Sequence, residues 1–323
     1  VRYAFSMTPD ANLVNGEGLP GEAFRTDDWR FGSWSVDQEA TLGGYRSREA
    51  GAIELFNGRD LSGWFNMNTA DSTWRVKKDE TGTPIIACTG KPTGLLRTEK
   101  MYGNYVLELE WRHMVAGGNA GLFVHSDPIP AKGSPFTRAV EVQVMDGLEG
   151  EWYTSDGDVF PIFGATMTPE NGRPGSNRAY PTEKRMNPSP MWNHYRVECV
   201  DGSLTLWVNG KVVTRGREIS PRKGYIALES EGTEIHFRNI RLWELPGSEA
   251  IAPEQTCEEA EGFRPLYNGV DFSGWTFGPE HEGHWKATDN SIVFDGQGAD
   301  LWTSEAFKDF ELIVDWRWTG PAS

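Results

Sequence analysis

Six side chains could act together on a ligand if strand geometry sets them on one face: Glu110, Arg112, His125, Glu141, Gln143 and Trp207. Carboxylates serve as general acids or bases, and neighbours shift their pKa toward neutrality. Imidazole titrates near neutrality without help. An indole offers a flat, electron-rich surface with few torsions, suited to stacking a sugar ring. What groups them is the alternation of a β-strand, in which successive side chains point to opposite faces. In 139–146, Val140, Val142 and Val144 point one way, and Glu141 and Gln143 the other. In 120–126, Leu122 and Val124 oppose Phe123 and His125. In 105–112, Leu107, Leu109 and Trp111 oppose Glu108, Glu110 and Arg112, and in 203–208 Leu204, Leu206 and Val208 oppose Thr205 and Trp207. If these strands share one sheet, its non-core face is a polar ligand groove. The plainer alternative is a wet face of cross-strand ion pairs, but a tryptophan set among charges favours the groove.

Two further positions belong to this set. Gly117-Gly118-Asn119-Ala120-Gly121 leads into the His125 strand, and such glycine density permits close backbone approach or simply a tight turn. Lys184 and Arg185 lie in a loop over 171–190 rich in proline, from which they could reach over the groove or serve only solubility.

The elements that must position these groups are short β-strands. Clear runs are 105–112, 120–126, 139–146, 194–200, 203–208, 223–228 and 234–244, with Gly, Asn, Asp and Pro between them. Asp201-Gly202 and Asn209-Gly210 mark hairpins, because both pairs tolerate the positive φ of a type I′ turn. No segment carries a helical period. The pattern predicts an all-β sandwich or jelly roll.

Part of the chain is written twice. Residues 57–64, Asn-Gly-Arg-Asp-Leu-Ser-Gly-Trp, return at 268–275 as Asn-Gly-Val-Asp-Phe-Ser-Gly-Trp, an offset of 211 that also carries Trp74 onto Trp285. Residues 105–112 return at 310–317 with an offset of 205. So long a period means tandem domains rather than a solenoid. The expected organisation is an N-terminal extension over 1–51, a complete domain over 52–246, a linker over 247–261, and the start of a second, truncated copy over 262–323. Phe24, Trp29, Phe31 and Trp34 could pack the extension onto the domain.

A net charge of −16 argues against nucleic acid and against anionic membrane surfaces, whose phosphates attract cations. No apolar run reaches the ~20 residues of a membrane span. No signal peptide stands at Val1, and the missing initiator Met suggests that something upstream was removed or not included. Cys88, Cys199 and Cys257 form no CxxC pair, so nothing indicates a zinc knuckle, and Cys199 alternates with core positions as a buried, inert residue would.

Several blocks resemble the 3-keto-disaccharide hydrolase domain family. They are Leu55-Phe56-Asn57-Gly58 with Asp60-Leu61-Ser62-Gly63-Trp64, Asn119-Ala120-Gly121-Leu122-Phe123, Glu141-Val142-Gln143-Val144-Met145-Asp146, Trp192-Asn193, Trp207-Val208-Asn209-Gly210 and Phe237-Arg238-Asn239-Ile240-Arg241. The resemblance covers about 52–245 and again 266–317. Ala120 stands where the family commonly has Ser, and Pro161-Ile162-Phe163-Gly164 replaces a more typical Gly-Ala-Leu-Tyr run. Of the groove set the second copy keeps only Asp315 and Arg317, so it holds no complete site.

The resemblance implies a concanavalin A-like jelly roll acting on glycosides oxidised to a ketone at C3. Such a ketone acidifies the C2 hydrogen; a base removes it, and the enolate expels the C1 oxygen, after which water can add. On this reading His125 or Glu141 is the base and Arg112 or Lys184 stabilises the enolate oxygen. Asn119, Gln143 and Glu110 would contact the sugar, with Trp207 as the floor. A divalent cation held among Glu110, Glu141, Asp146 and His125 is an alternative electrophile, although no spacing demands one. The competing readings are a non-catalytic glycan-binding module and a surface-assembly protein. The expected partner is a carbohydrate, and the expected location periplasmic or extracellular.

Overall fold

The computed structural model describes residues 51–146, 156–260 and 262–320, together with two short strands near the N-terminus. The chain forms two compact units, residues 1–52 and 53–323. In the first, β1 (Arg2–Tyr3) pairs antiparallel with β2 (Phe24–Arg25). The packing expected of Phe24, Trp29, Phe31 and Trp34 lies outside the described side chains.

The second unit is built from β-strands. They are β3 (Ile53–Glu54), β4 (Trp64–Asn66), β5 (Trp74–Lys78), β6 (Pro84–Cys88), β7 (Gly94–Thr98), β8 (Tyr105–His113), β9 (Asn119–Ser126) and β10 (Ala139–Met145). There follow β11 (Val159–Ile162), β12 (Thr166–Pro169), β13 (Asn193–Val200), β14 (Ser203–Val208), β15 (Lys211–Ser220), β16 (Tyr225–Ser230) and β17 (Ile235–Glu244). The last are β18 (Trp275–Thr276), β19 (Trp285–Thr288), β20 (Ser291–Phe294) and β21 (Trp302–Thr303). A single 3-10 turn at Pro253–Gln255 is the helical content among the described residues, and no helix there is long and apolar enough to cross a membrane.

Two antiparallel sheets face each other in a jelly-roll sandwich of the concanavalin A-like kind. The six-stranded sheet runs β11-β10-β9-β16-β7-β4, and the nine-stranded sheet runs β12-β15-β14-β13-β8-β17-β6-β5, with β3 beside β17. Valine, leucine and aromatic residues at alternate positions fill the space between them. Val140, Val142 and Val144 of β10 and Leu122 and Val124 of β9 meet Leu107, Leu109 and Trp111 of β8 and Leu204 and Leu206 of β14. Each such side chain withdrawn from water contributes about 1.5–3 kcal/mol. A one-residue slip would turn a whole row to the other face, so the core fixes the register.

The turns follow from sequence. Asp201-Gly202 joins β13 to β14 with φ of 49° and 75°, and Asn209-Gly210 joins β14 to β15 with φ of 46° and 86°. The repeated motif builds the same local structure twice. Asn57 Oδ1 accepts from the backbone N–H of Arg59 and Asp60, and Trp64 Nε1 donates to Leu55 O at 2.6 Å. Asn268 does the same with Val270 and Asp271, and Trp275 Nε1 donates to Leu266 O at 2.9 Å. All three cysteines are free and buried.

Candidate active site on the six-stranded sheet

The register of the six-stranded sheet places three acidic and amide side chains around one glycine. On the face turned away from the sandwich core, Gln143 of β10 lies opposite Gly121 of β9. Leu228 of β16 lies opposite Leu122, which sets Glu229 beside Gly121 on the other side. Glu141 is two residues along β10, on the same face as Gln143. Gly121 leaves the space between them open. A Cβ there would lie 2.9 Å from Glu141 Oε1, 2.9 Å from Glu229 Oε2 and 2.8 Å from Phe123 Cε1. Two carboxyl groups therefore converge on one point above a strand, from the strands on either side.

An amide relay borders this pair. Gln143 Nε2 donates to Asn119 Oδ1 at 2.7 Å and to Ala120 O at 3.0 Å, while Asn119 Nδ2 donates to Glu231 just beyond the end of β16. Arg178, from the long loop, supplies the positive charge. It pairs with the fully buried Asp158 at 3.2 Å, lies over the Phe160 ring, and its charge bears on Glu141.

Burial governs the electrostatics. Glu141 is pushed up to about 8, first by loss of water and then by the Glu231 charge, with Arg178 opposing. Glu229 is raised well above the ordinary carboxylate range by burial and by the charges of Glu141 and Glu231. Its Oε2 is buried and has no hydrogen-bond partner among the described residues. Glu231 is raised by burial, and the Asn119 hydrogen bond opposes the shift. Like charges this close, out of water, cannot all ionise, so the carboxyl groups titrate as a set. The site can take and give protons near neutral pH.

The structure brings Asn119, Glu141 and Gln143 together; the other expected residues go elsewhere. Glu110, Arg112 and Trp207 belong to β8 and β14, in the opposite sheet, and point away from the core on its far side. Alternation assigned the outward faces of β8, β10 and β14 correctly but carried no information on which sheet each joins. Arg112 makes a two-pronged ion pair with Glu80 at 2.6 and 2.7 Å and stacks on Trp192. Glu110 accepts from Arg238 at 2.6 Å. Trp207 is buried, with Arg196 over its ring, and is no open sugar platform.

His125 is also displaced. Its φ of 50°, beside a register shift between β9 and β16, breaks the alternation and turns the ring toward Tyr105 of the facing sheet, in edge contact at 5.6 Å. Nε2 pairs with Gly103 O at 2.9 Å, and burial depresses the imidazole to about 4. Lys184 is exposed and acts on Asp156, not Glu141. Asp146 accepts from Gly117 N–H and Ser189 N–H. The supposed cation ligands Glu110, Glu141, Asp146 and His125 therefore do not converge, and no group of three or more metal-ligating side chains is arranged to hold an ion among the described residues.

Glu229, Glu231 and Arg178 were not anticipated. The strand expected over 223–228 stops one residue short of Glu229; continued alternation from Ile226 and Leu228 inward would have sent Glu229 outward with Ala227. Arg178 sits in irregular backbone, where no period exists to place it.

The sequence model of the 3-keto-alpha-glucoside-1,2-lyase-like domain matches residues 51–243 and again 262–323. The chain belongs to this family. No curated protein sequence matches it. Among solved structures, a protein of Parabacteroides distasonis ATCC 8503, provisionally assigned as a glycosyl hydrolase, is 23% identical, with 66% of this chain and 98% of that one covered at a TM-score of 0.47. The carbohydrate binding module CBM66 of Bacillus subtilis is 9% identical over 56% of this chain and 96% of its own, at 0.38. A Bacillus licheniformis β-glucanase is 13% identical over 61% and 100%, at 0.38.

Proposed function

We propose that this family member cleaves 3-keto-glycosides, with Glu141 as the base at C2 and Glu229 as the acid at the leaving oxygen. The reading rests on one observation, the convergence of the two carboxyl groups across Gly121. Glu141, near 8, is matched to proton transfer at neutral pH, and Glu229, raised well above the ordinary carboxylate range by burial, keeps its proton to donate. The C2 proton passes to Glu141, and its electron pair forms the enolate with negative charge on the C3 oxygen. That enolate collapses to a C1–C2 double bond as the C1–O bond breaks, and the departing oxygen takes the Glu229 proton. Arg178 takes the role first given to Arg112 or Lys184, offering positive charge to the enolate oxygen. Asn119 and Gln143 would hold ring hydroxyls. Within the same proposal, residues 52–246 are the catalytic domain and 262–323 begin a second copy.

The test is incubation with a 3-keto-glycoside in D2O. Release of aglycone, with deuterium at C2 of recovered substrate, is expected of an enzyme using a C2 base. Retention of the sugar with neither release nor exchange would leave a glycan-binding module as the better reading.

A further inference from the structure

A turn from the second family segment binds Thr93, the residue just ahead of β7, which is the strand paired with the one that carries Glu229. β16 runs into Glu229-Ser230-Glu231-Gly232. Two hydrogen bonds fasten this end to the segment before β7. Gly232 N–H donates to Gly90 O at 2.7 Å, and Ser230 Oγ donates to Pro92 O at 2.8 Å. The approach is close enough that a Cβ on Gly90 would lie 2.3 Å from the Thr233 nitrogen, and φ there is +79°, so only glycine fits.

The same segment is gripped from its other side by the β19–β20 hairpin. Asp289 Oδ1 accepts from Thr93 N–H at 3.1 Å, and Asp289 Oδ2 from the Thr93 hydroxyl at 3.3 Å. Asn290 Nδ2 donates to Thr93 O at 2.5 Å. Every polar group of Thr93 is thus bound by two consecutive turn residues from the second segment. A Cβ on Gly269 would come 2.7 Å from Pro92 Cγ, so that segment also packs on the neighbouring residue. Exposed hydrogen bonds of this kind add little net stability, because water offers the same partners. Three of them on one residue fix its position.

We propose that Asp289 and Asn290 are positioning residues for the site: they clamp Thr93 and, through Gly90 and Pro92, set where Glu229 and Glu231 stand relative to Glu141. The proposal rests on the reaction assigned above only in that this site's geometry is what the clamp controls. The two segments then work as one unit in cis, with the second contributing no reacting group.

The experiment uses the full chain carrying Asp289→Ala together with Asn290→Gly, since glycine keeps the turn's positive φ of 57° and removes only the amide. A small misplacement of reacting groups lowers the chemical step, so kcat is expected to fall about tenfold with KM changed less than about twofold. Asp289→Asn keeps an acceptor oxygen and should hold kcat near wild type, as should Lys286→Ala on the exposed side of the same hairpin. In parallel, glutamate carboxyl carbons followed by NMR should titrate differently in the double variant and unchanged in Asp289→Asn. Unaltered kcat with unaltered titration overturns the clamp, and so does an Asp289→Asn defect equal to that of the double variant. Should wild type release no aglycone, the reaction is what fails; identical carboxyl titrations in wild type and double variant would then still overturn the clamp.

Discussion

The outer faces of the two sheets carry similar residues and opposite chemistry. On the nine-stranded sheet every acid named here has a cation. Arg238 binds both Glu110 and Asp79 at 2.6 Å, Arg112 binds Glu80, and Arg196 bridges Glu108 and Glu198. Trp192 lies between Arg112 and Arg238, within 4.5 Å of both guanidinium carbons. On the six-stranded sheet three glutamates crowd together, and Arg178 is already paired with Asp158. Matched charges hold a sheet face together; crowded acids with raised pKa cost stability and are retained where protons must move. The charge content of a face therefore says little, and its pairing says much.

The largest effect should come from breaking the unmatched face. Glu141→Gln keeps the shape and removes the carboxylate proposed as the base, and general-base catalysis is worth about 100- to 10,000-fold, so kcat on a 3-keto-glycoside should fall about 1,000-fold. Single-turnover release of aglycone measures it, and a fall below tenfold would remove Glu141 from the role. Arg238→Ala breaks the matched face instead. Asp79, whose side chain is fully buried, would lose its ion-pair partner, at a cost of about 2–3 kcal/mol in denaturant unfolding, with kcat within about twofold of wild type. If Arg238→Ala abolished turnover while leaving stability intact, the division between the two faces would be wrong.

The strands were legible because alternation and turn chemistry are local. Valines at 140, 142 and 144, and Asp-Gly or Asn-Gly between runs, need no knowledge of the rest of the chain. Sheet membership is not local. β8 and β10 look alike in sequence and lie in opposite sheets, so Glu110 and Glu141 part company. The repeat shows the same limit. Tyr105–His113 is a buried strand between β13 and β17, with Trp111 at 1% exposure. Its sequence counterpart, 310–317, pairs with no strand among the described residues and leaves Trp316 73% exposed. Alternation alone does not say which strands, if any, will stand beside a run.

A smaller effect should separate the two faces by pH. Glu141 is raised from an unfolded value near 4.5 to about 8, and Glu229 is also raised, by burial and by its acidic neighbours. The folded state then binds these protons more tightly than the unfolded chain. Their contribution to stability is complete below about pH 4.5 and is lost as pH rises through 8, on the order of 2 kcal/mol between pH 5 and 8.5 after discounting for relaxation. Asp156, pushed up to about 7, adds a fall of the same sign in every variant. Glu80 of the matched face is held at about 2 by Arg112 and titrates below this window. Thermal melts of Glu141→Gln with Glu229→Gln should thus be flatter than wild type across pH 5 to 8.5. Parallel slopes would mean that the acids are not crowded in solution.

The smallest effect expected is at His125, and it bears directly on the choice of base. Its ring is sealed against Tyr105, holds the Gly103 carbonyl and is pushed down to about 4, so it is neutral at pH 7 and faces away from the glutamates. His125→Gln retains a side-chain donor for that carbonyl. The loss should be about 1 kcal/mol of stability, from one altered buried hydrogen bond, with kcat within about twofold. A sealed group also leaves no imprint on turnover, so the pH–rate profile should keep its shape. If His125→Gln instead lost the same three orders of magnitude as Glu141→Gln, proton abstraction would belong to the imidazole, and the ring would have to swing out through the six-stranded sheet to reach a sugar.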